Sequence, residues 1–233
     1  MMQQTPTAET ISYPDSDGNP LSDNTRQFRW IMTLKGNLDI LYRDVPEVFV
    51  AGDLLWYPVK GSNTVRAAPD VMVAFGRPKG DRGSYKQWEE ENIPPLVVFE
   101  VLSPGNRMRE MALKFDFYER YGVEEYYIYN PDTFDFSVWQ RSEGRLRIVE
   151  DDLRDDTWVS PRLGIRFVAP GDGELQVFYP DGRPFLGFVD LEEARLAAER
   201  RAMSAEQRAT SAEQRAEQLA SKLRALGIDP QTV

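Results

Sequence analysis

The chain has 233 residues, 41% of them hydrophobic and 12% aromatic, enough for one well-buried domain with an appendage. Neither cysteine nor histidine occurs, which removes disulfides, thiolate nucleophiles, the usual zinc ligand sets and every His-based triad. A formal charge of -10, from 28 Lys and Arg against 38 Asp and Glu, repels phosphate at long range, so contact with nucleic acid must rest on local patches. The chemistry that remains runs on carboxylates, lysine, hydroxyls and water, and carboxylate clusters suit Mg²⁺ or Mn²⁺. No apolar run is long enough to span a bilayer, and residues 1–10 lack the basic start and apolar core of a secretory signal. The expectation is a cytoplasmic protein with no membrane partner.

Residues 1–20 are polar and rich in Pro, Asp and Gly, and read as an irregular lead-in. Ser22, Asp23 and Asn24 offer helix caps, and Phe28, Ile31, Met32, Leu38 and Leu41 recur at near-helical spacing. That pattern predicts a helix over about 25–42 with a weak point at Gly36. Short β-branched and aromatic runs follow at 48–50, 53–59, 71–75 and 97–102. Met108, Met111, Ala112, Phe115 and Tyr118 then mark one face of a helix over 107–121, closed by Gly122 as a C-cap. Residues 126–129 read as a strand halted by Asn130-Pro131-Asp132, so 97–129 fits a parallel strand-helix-strand crossover. Residues 136–140, 146–149 and 175–178 read as peripheral strands.

From about Leu191 the composition turns to Ala, Glu, Arg and Gln. Ala198, Ala202, Ala205, Ala209, Ala212, Ala216, Leu219, Leu223 and Leu226 follow a 4-3 repeat, broken upstream at Arg195, and Ala-Glu-Gln-Arg-Ala recurs at 205 and 212. This predicts a coiled-coil helix over 188–228 and a homo-oligomer formed through it. A solvated Ala-rich helix is the competing reading.

Two acids interrupt apolar strand-like runs: Asp70 in Ala68-Pro69-Asp70-Val71-Met72-Val73 and Glu100 in Val97-Val98-Phe99-Glu100-Val101-Leu102. A carboxylate buried in such a run costs several kcal/mol unless it is paired or holds a metal. On adjacent strands the two can share one ion, with a backbone carbonyl and waters completing an oxygen shell. Asp70 beside a proline can equally be a turn residue, and Glu100 can be held by a structural ion pair, for instance to Lys114. Asn24, Gln27, Asp53, Ser103, Arg107 and Glu125 are weaker candidates for support. Arg77 to Lys86 holds four cations against one anion and, with Arg107 and Arg109, is a candidate phosphate-contacting patch or an ordinary charged loop. Trp88 reads as a loop anchor.

Pro69-Asp70 followed by Glu100-Val101-Leu102 resembles the PD-(D/E)XK nuclease signature, with Leu102 where the signature has lysine. The longer set Glu100-Val101-Leu102-Ser103-Pro104, Arg107, Arg109-Glu110, Lys114, Tyr118 and Gly122-Val123-Glu124-Glu125-Tyr126-Tyr127 closely resembles the Uma-two family of restriction-endonuclease-like proteins. The likeness covers about residues 20–185, with Glu110 where the family has Asp and Asn130 where it often has Asp. It implies that Asp70 and Glu100 bind the metal and that Lys114 is the catalytic lysine moved onto the helix.

The resulting expectation is an α/β, restriction-endonuclease-like mixed sheet flanked by helices, spanning 21–187 between the lead-in and the coiled coil. Its implied function is Mg²⁺- or Mn²⁺-dependent hydrolysis of phosphodiester bonds in DNA, with Asp70, Glu100 and Lys114 catalytic and the Val101 carbonyl as a further metal ligand. A catalytically silent nuclease fold recruited through its coiled coil is the rival, favoured by the net acidity and by Leu102. Hydrolysis of RNA or a nucleotide would use the same residues.

Overall fold

The computed structural model describes residues 11–16, 18, 22, 24–149 and 157–225. Asp23, most of the lead-in, Leu226 and the predicted end of the coiled coil lie outside them. Asn24 caps the first helix, α1 (Thr25–Leu41), its side chain accepting the Gln27 N–H at 2.9 Å. The helix runs through Gly36 without a break, because Trp30, Ile31, Leu34 and Leu38 anchor its buried stripe on both sides of the glycine.

The central sheet is six-stranded, in the order β1 (Val48–Gly52), β3 (Val71–Phe75), β5 (Val97–Val101), β6 (Glu125–Tyr129), β7 (Phe136–Ser142) and β8 (Arg145–Ile148). Only β5 and β6 run parallel, and the helix α2 (Met108–Tyr121) connects them as the sequence predicts. Gly122 ends α2 in the left-handed region at φ 95°, donating its N–H to the Tyr118 carbonyl. After β6, the Asn130 side chain accepts the Asp132 N–H at 3.0 Å, which turns the chain.

Other expectations need correction. The stretch 53–59 is not one strand: Asp53 lies in the left-handed region at φ 48°, and only β2 (Trp56–Tyr57) forms, parallel to β4 (Tyr85–Lys86). Two of the predicted peripheral strands, β7 and β8, instead extend the main sheet. The third, β11 (Gln176–Phe178), joins β10 (Arg166–Val168) and β9 (Thr157–Val159) in a separate three-stranded sheet.

The sheet carries a core on each face. One includes Trp30, Leu34, Leu38, Val71, Val73, Phe99, Tyr127 and Phe167, from α1, the central sheet and the small sheet. The other includes Phe49, Met72, Ala74, Val98, Tyr118, Val123 and Tyr126, beneath α2. Strand alternation therefore assigns the even-numbered positions of β3 and β5 to the α2 face. The described residues up to Phe185 form one compact unit and those from Leu186 onward a second. The second contains the 38-residue helix α3 (Phe188–Ala225), none of whose residues is buried.

Candidate active site

The antiparallel register of β3 and β5 pairs Val71 with Phe99, and one further step sets Asp70, just ahead of β3, opposite Glu100. Both positions fall on the α2 face, at 8% and 3% exposure. Lys114 and Tyr118 lie one helical turn apart on α2, and both reach the same carboxylate. Lys114 Nζ donates to Glu100 Oε2 at 2.7 Å and the Tyr118 hydroxyl to Oε1 at 2.6 Å. The Val101 N–H donates to Asp70 Oδ2 at 2.6 Å, while Oδ1 has no hydrogen-bond partner among the described residues. Gln27, reaching across from α1, donates Nε2 to the Val101 carbonyl at 2.8 Å. Around the approach to β3, the Asp53 N–H donates to the carbonyls of Pro69 and Asp70.

The charges do not balance. Burial pushes the Asp70 carboxyl well above the usual carboxylate range, and the negative Glu100 pushes it further; Lys114 and the Val101 amide offset only part of this. Burial works against the Lys114 charge, yet the Glu100 and Asp70 carboxylates outweigh it and hold the ammonium above the ordinary lysine range. Burial and then Glu100 likewise raise the Tyr118 phenol. The neighbouring Tyr126 hydroxyl, raised by burial and by the same two acids, is buried with no hydrogen-bond partner among the described residues. Two buried acids thus share one cation.

This cluster meets a cavity of about 820 Å³ whose lining includes Gln27, Asp53, Arg66, Asp70, Glu110 and Lys114. Arg66 donates to the Tyr57 hydroxyl at 3.2 Å, and no described carboxylate lies within ion-pair distance of it. The donor set fits a hard divalent cation, since two carboxylates that repel one another gain from a shared positive charge. The Val101 carbonyl keeps a second lone pair beside the Gln27 bond. Among the described residues no group of three or more acids is placed to hold one ion, so carbonyl and water oxygens would complete such a shell.

The remaining predicted residues separate from this site or stand behind it. Asn24 is a helix cap. Ser103 closes a turn with Asn106, its N–H donating to Asn106 Oδ1 at 2.7 Å. Arg107 is exposed at the N-cap of α2. Glu125 faces the other core, accepting from the Tyr127 and Ser160 hydroxyls and from the Arg162 N–H. The proposed phosphate patch is largely spent internally. Arg77 and Arg82 both pair with Glu90, Arg82 also covers the Phe49 ring, and Lys79 donates to the Tyr42 carbonyl. No residue of 77–86 lines the cavity. Trp88 packs on Tyr13 with ring centroids 5.0 Å apart. Sequence reasoning missed the roles of Tyr118 and Arg66. The i,i+4 spacing of Lys114 and Tyr118 was a usable signal for the first; nothing local marks the second.

The model of the Uma2 family, described as "putative restriction endonuclease", matches residues 18–169. The chain belongs to the Uma2 family. Membership places it among restriction-endonuclease-like nucleases. A solved structure titled as that of a "putative nuclease belonging to DUF820" from Anabaena variabilis is 12% identical. It covers 59% of this Uma2 chain and 72% of its own, with a TM-score of 0.43. None of the curated proteins matches. No helix among the described residues is long and apolar enough to cross a membrane.

Proposed function

We propose that this Uma2 protein hydrolyses phosphodiester bonds in DNA with Mg²⁺ or Mn²⁺ held by Asp70, Glu100 and the Val101 carbonyl. The reading rests on one observation: a buried carboxylate pair, short of positive charge, meets a basic residue that reaches both the pair and a substrate-sized cavity. A bound divalent ion would polarise a phosphate oxygen and acidify a neighbouring water. The protein's own groups do the rest. Tyr118 and Lys114 fix the two oxygens of Glu100, so that carboxylate cannot rotate away. Gln27 and Asp70 fix the Val101 peptide from its two ends. Lys114, kept charged by its acids, stands ready to stabilise the negative charge that develops on phosphorus-bound oxygens. Arg66, tethered by Tyr57 and unpaired with any described acid, supplies a cation for the substrate backbone inside an acidic protein.

The test is incubation of supercoiled and linear DNA, and in parallel RNA, with the full chain and Mg²⁺, Mn²⁺ or a chelator. Metal-dependent cleavage of DNA that disappears in Asp70→Asn is the expected result. Failure of the folded protein to cut DNA with either ion would overturn the reading in favour of a silent nuclease fold, and cleavage of RNA alone would correct the substrate.

A further inference from the structure

Among the described residues the apolar seam of α3 is nowhere buried, and small residues alone do not say what covers it. The charges beside the seam do. Taking Ala202, Ala209, Ala216 and Leu223 as the a positions of the 4-3 repeat makes Ala198, Ala205, Ala212 and Leu219 the d positions. The residues before each a, the g positions, are then Arg201, Arg208, Arg215 and Lys222, all basic. Those after each d, the e positions, are Glu199, Glu206, Glu213 and Ala220. One flank is uniformly positive and the other carries every flanking acid.

A helix that stands alone in water is usually laced by acid–base pairs three or four residues apart along its own surface. In α3 such pairs occur only around Arg195, which reaches Glu192 and Glu199. Beyond Arg200 the described helix offers no opposite charges at either spacing, and Glu213 and Glu217, four apart, repel. These charges are arranged for a second helix. In a parallel, in-register pair each g residue meets the e residue five positions on in its partner, which sets Arg201 against Glu206 and Arg208 against Glu213, each twice. An antiparallel pair would instead bring g against g and e against e, arginine facing arginine and glutamate facing glutamate.

We propose that α3 docks on α3 of a second copy of this chain as a parallel, in-register, two-stranded coiled coil, whose direction is set by the basic g and acidic e flanks. Both nuclease units are then joined to the same end of the coil, a consequence for DNA cleavage that rests on the function proposed above. The pairing itself does not depend on that function.

Because the chain has no cysteine, a single introduced thiol reports on its own position. In the full chain, Ala202→Cys and Ala216→Cys should each oxidise to a covalent dimer. A mixture of the two should give same-site dimers and no mixed-site dimers beyond chance. Reversing Arg201→Glu and Arg208→Glu together turns four attractions into four repulsions and should weaken self-association, read by sedimentation, by roughly tenfold or more. Adding Glu206→Arg and Glu213→Arg to that variant should restore it. A monomeric wild type, cross-links only between unlike sites, or no rescue by the charge swap would each overturn the proposal. DNA cleavage assays on the same proteins are separate: loss of activity in a dimer that still cross-links at like sites would count against the nuclease reading and leave the pairing standing.

Discussion

Two places in this molecule bury glutamate beneath the same sheet, and they could hardly be treated more differently. Glu125, 1% exposed, is surrounded by neutral donors, two hydroxyls and one backbone amide, and its own charge is dispersed over three hydrogen bonds. The bonds from Ser160 and Arg162 tie β6 to the turn that follows β9. Glu100, on the opposite face, sits beside a second acid, takes a lysine and a tyrosine from one helix, and its neighbours open on a cavity. Burial of an acid is therefore not itself the mark of a reactive site. A satisfied acid is structure, and an acid crowded by another acid, with room for a ligand, is chemistry in waiting.

The two glutamates should respond to the same substitution in opposite ways. Glu100→Gln should reduce DNA cleavage to background, by at least about a hundredfold, since even the outer partners of a metal ligand are worth ten- to a hundredfold. Glu125→Gln should leave the rate unchanged and lower stability by about 1–3 kcal/mol, because its amide would point donors at donors. Cleavage rates and denaturant midpoints on the two variants check both halves.

Next comes Lys114→Met. It removes the single cation from two buried acids, so unfolding should become easier by about 3 kcal/mol, the scale for breaking one side of a buried pair. Cleavage by the folded fraction should fall by about 10²–10³-fold. A fall in stability without a fall in rate would make the ion pair purely structural.

Acid pH separates the two sites more gently. The folded state holds the Asp70 proton more tightly than the unfolded chain does. Between the ordinary Asp value and the raised one the native protein therefore binds more protons, and its stability declines as pH rises through that window. In the presence of a chelator, Asp70→Asn should melt higher than wild type at neutral pH, and the gain should shrink as the pH falls toward the ordinary Asp range. Thermal melts across that range report it.

Much of this arrangement is legible in the chain. Glu100 stands out because an acid in a run of Val and Phe needs a reason, and the strand-helix-strand order of 97–129 is written in a change from β-branched and aromatic runs to an apolar period of 3.6 and back. Lys114 is drawn to the site by the family resemblance, since composition alone makes it a solvated helix lysine. The rest depends on distant pairings that no local pattern carries. Glu90 neutralises Arg77 and Arg82 across a turn, so a loop that reads as basic is internally paired. Residues 53–59 have strand composition, but the left-handed turn at Asp53 leaves only Trp56 and Tyr57 able to pair. β9 and β10, three residues each, are too short to show alternation. Arg66 acquires meaning only when the fold brings it to line the same cavity as Lys114.

If Asp70 and Glu100 hold a divalent metal, isothermal calorimetry of the full chain with Mn²⁺ detects it without any substrate. Wild type should bind the ion, and Asp70→Asn should show no binding. Equal binding by both proteins would place the metal elsewhere and rule out this pair as its site.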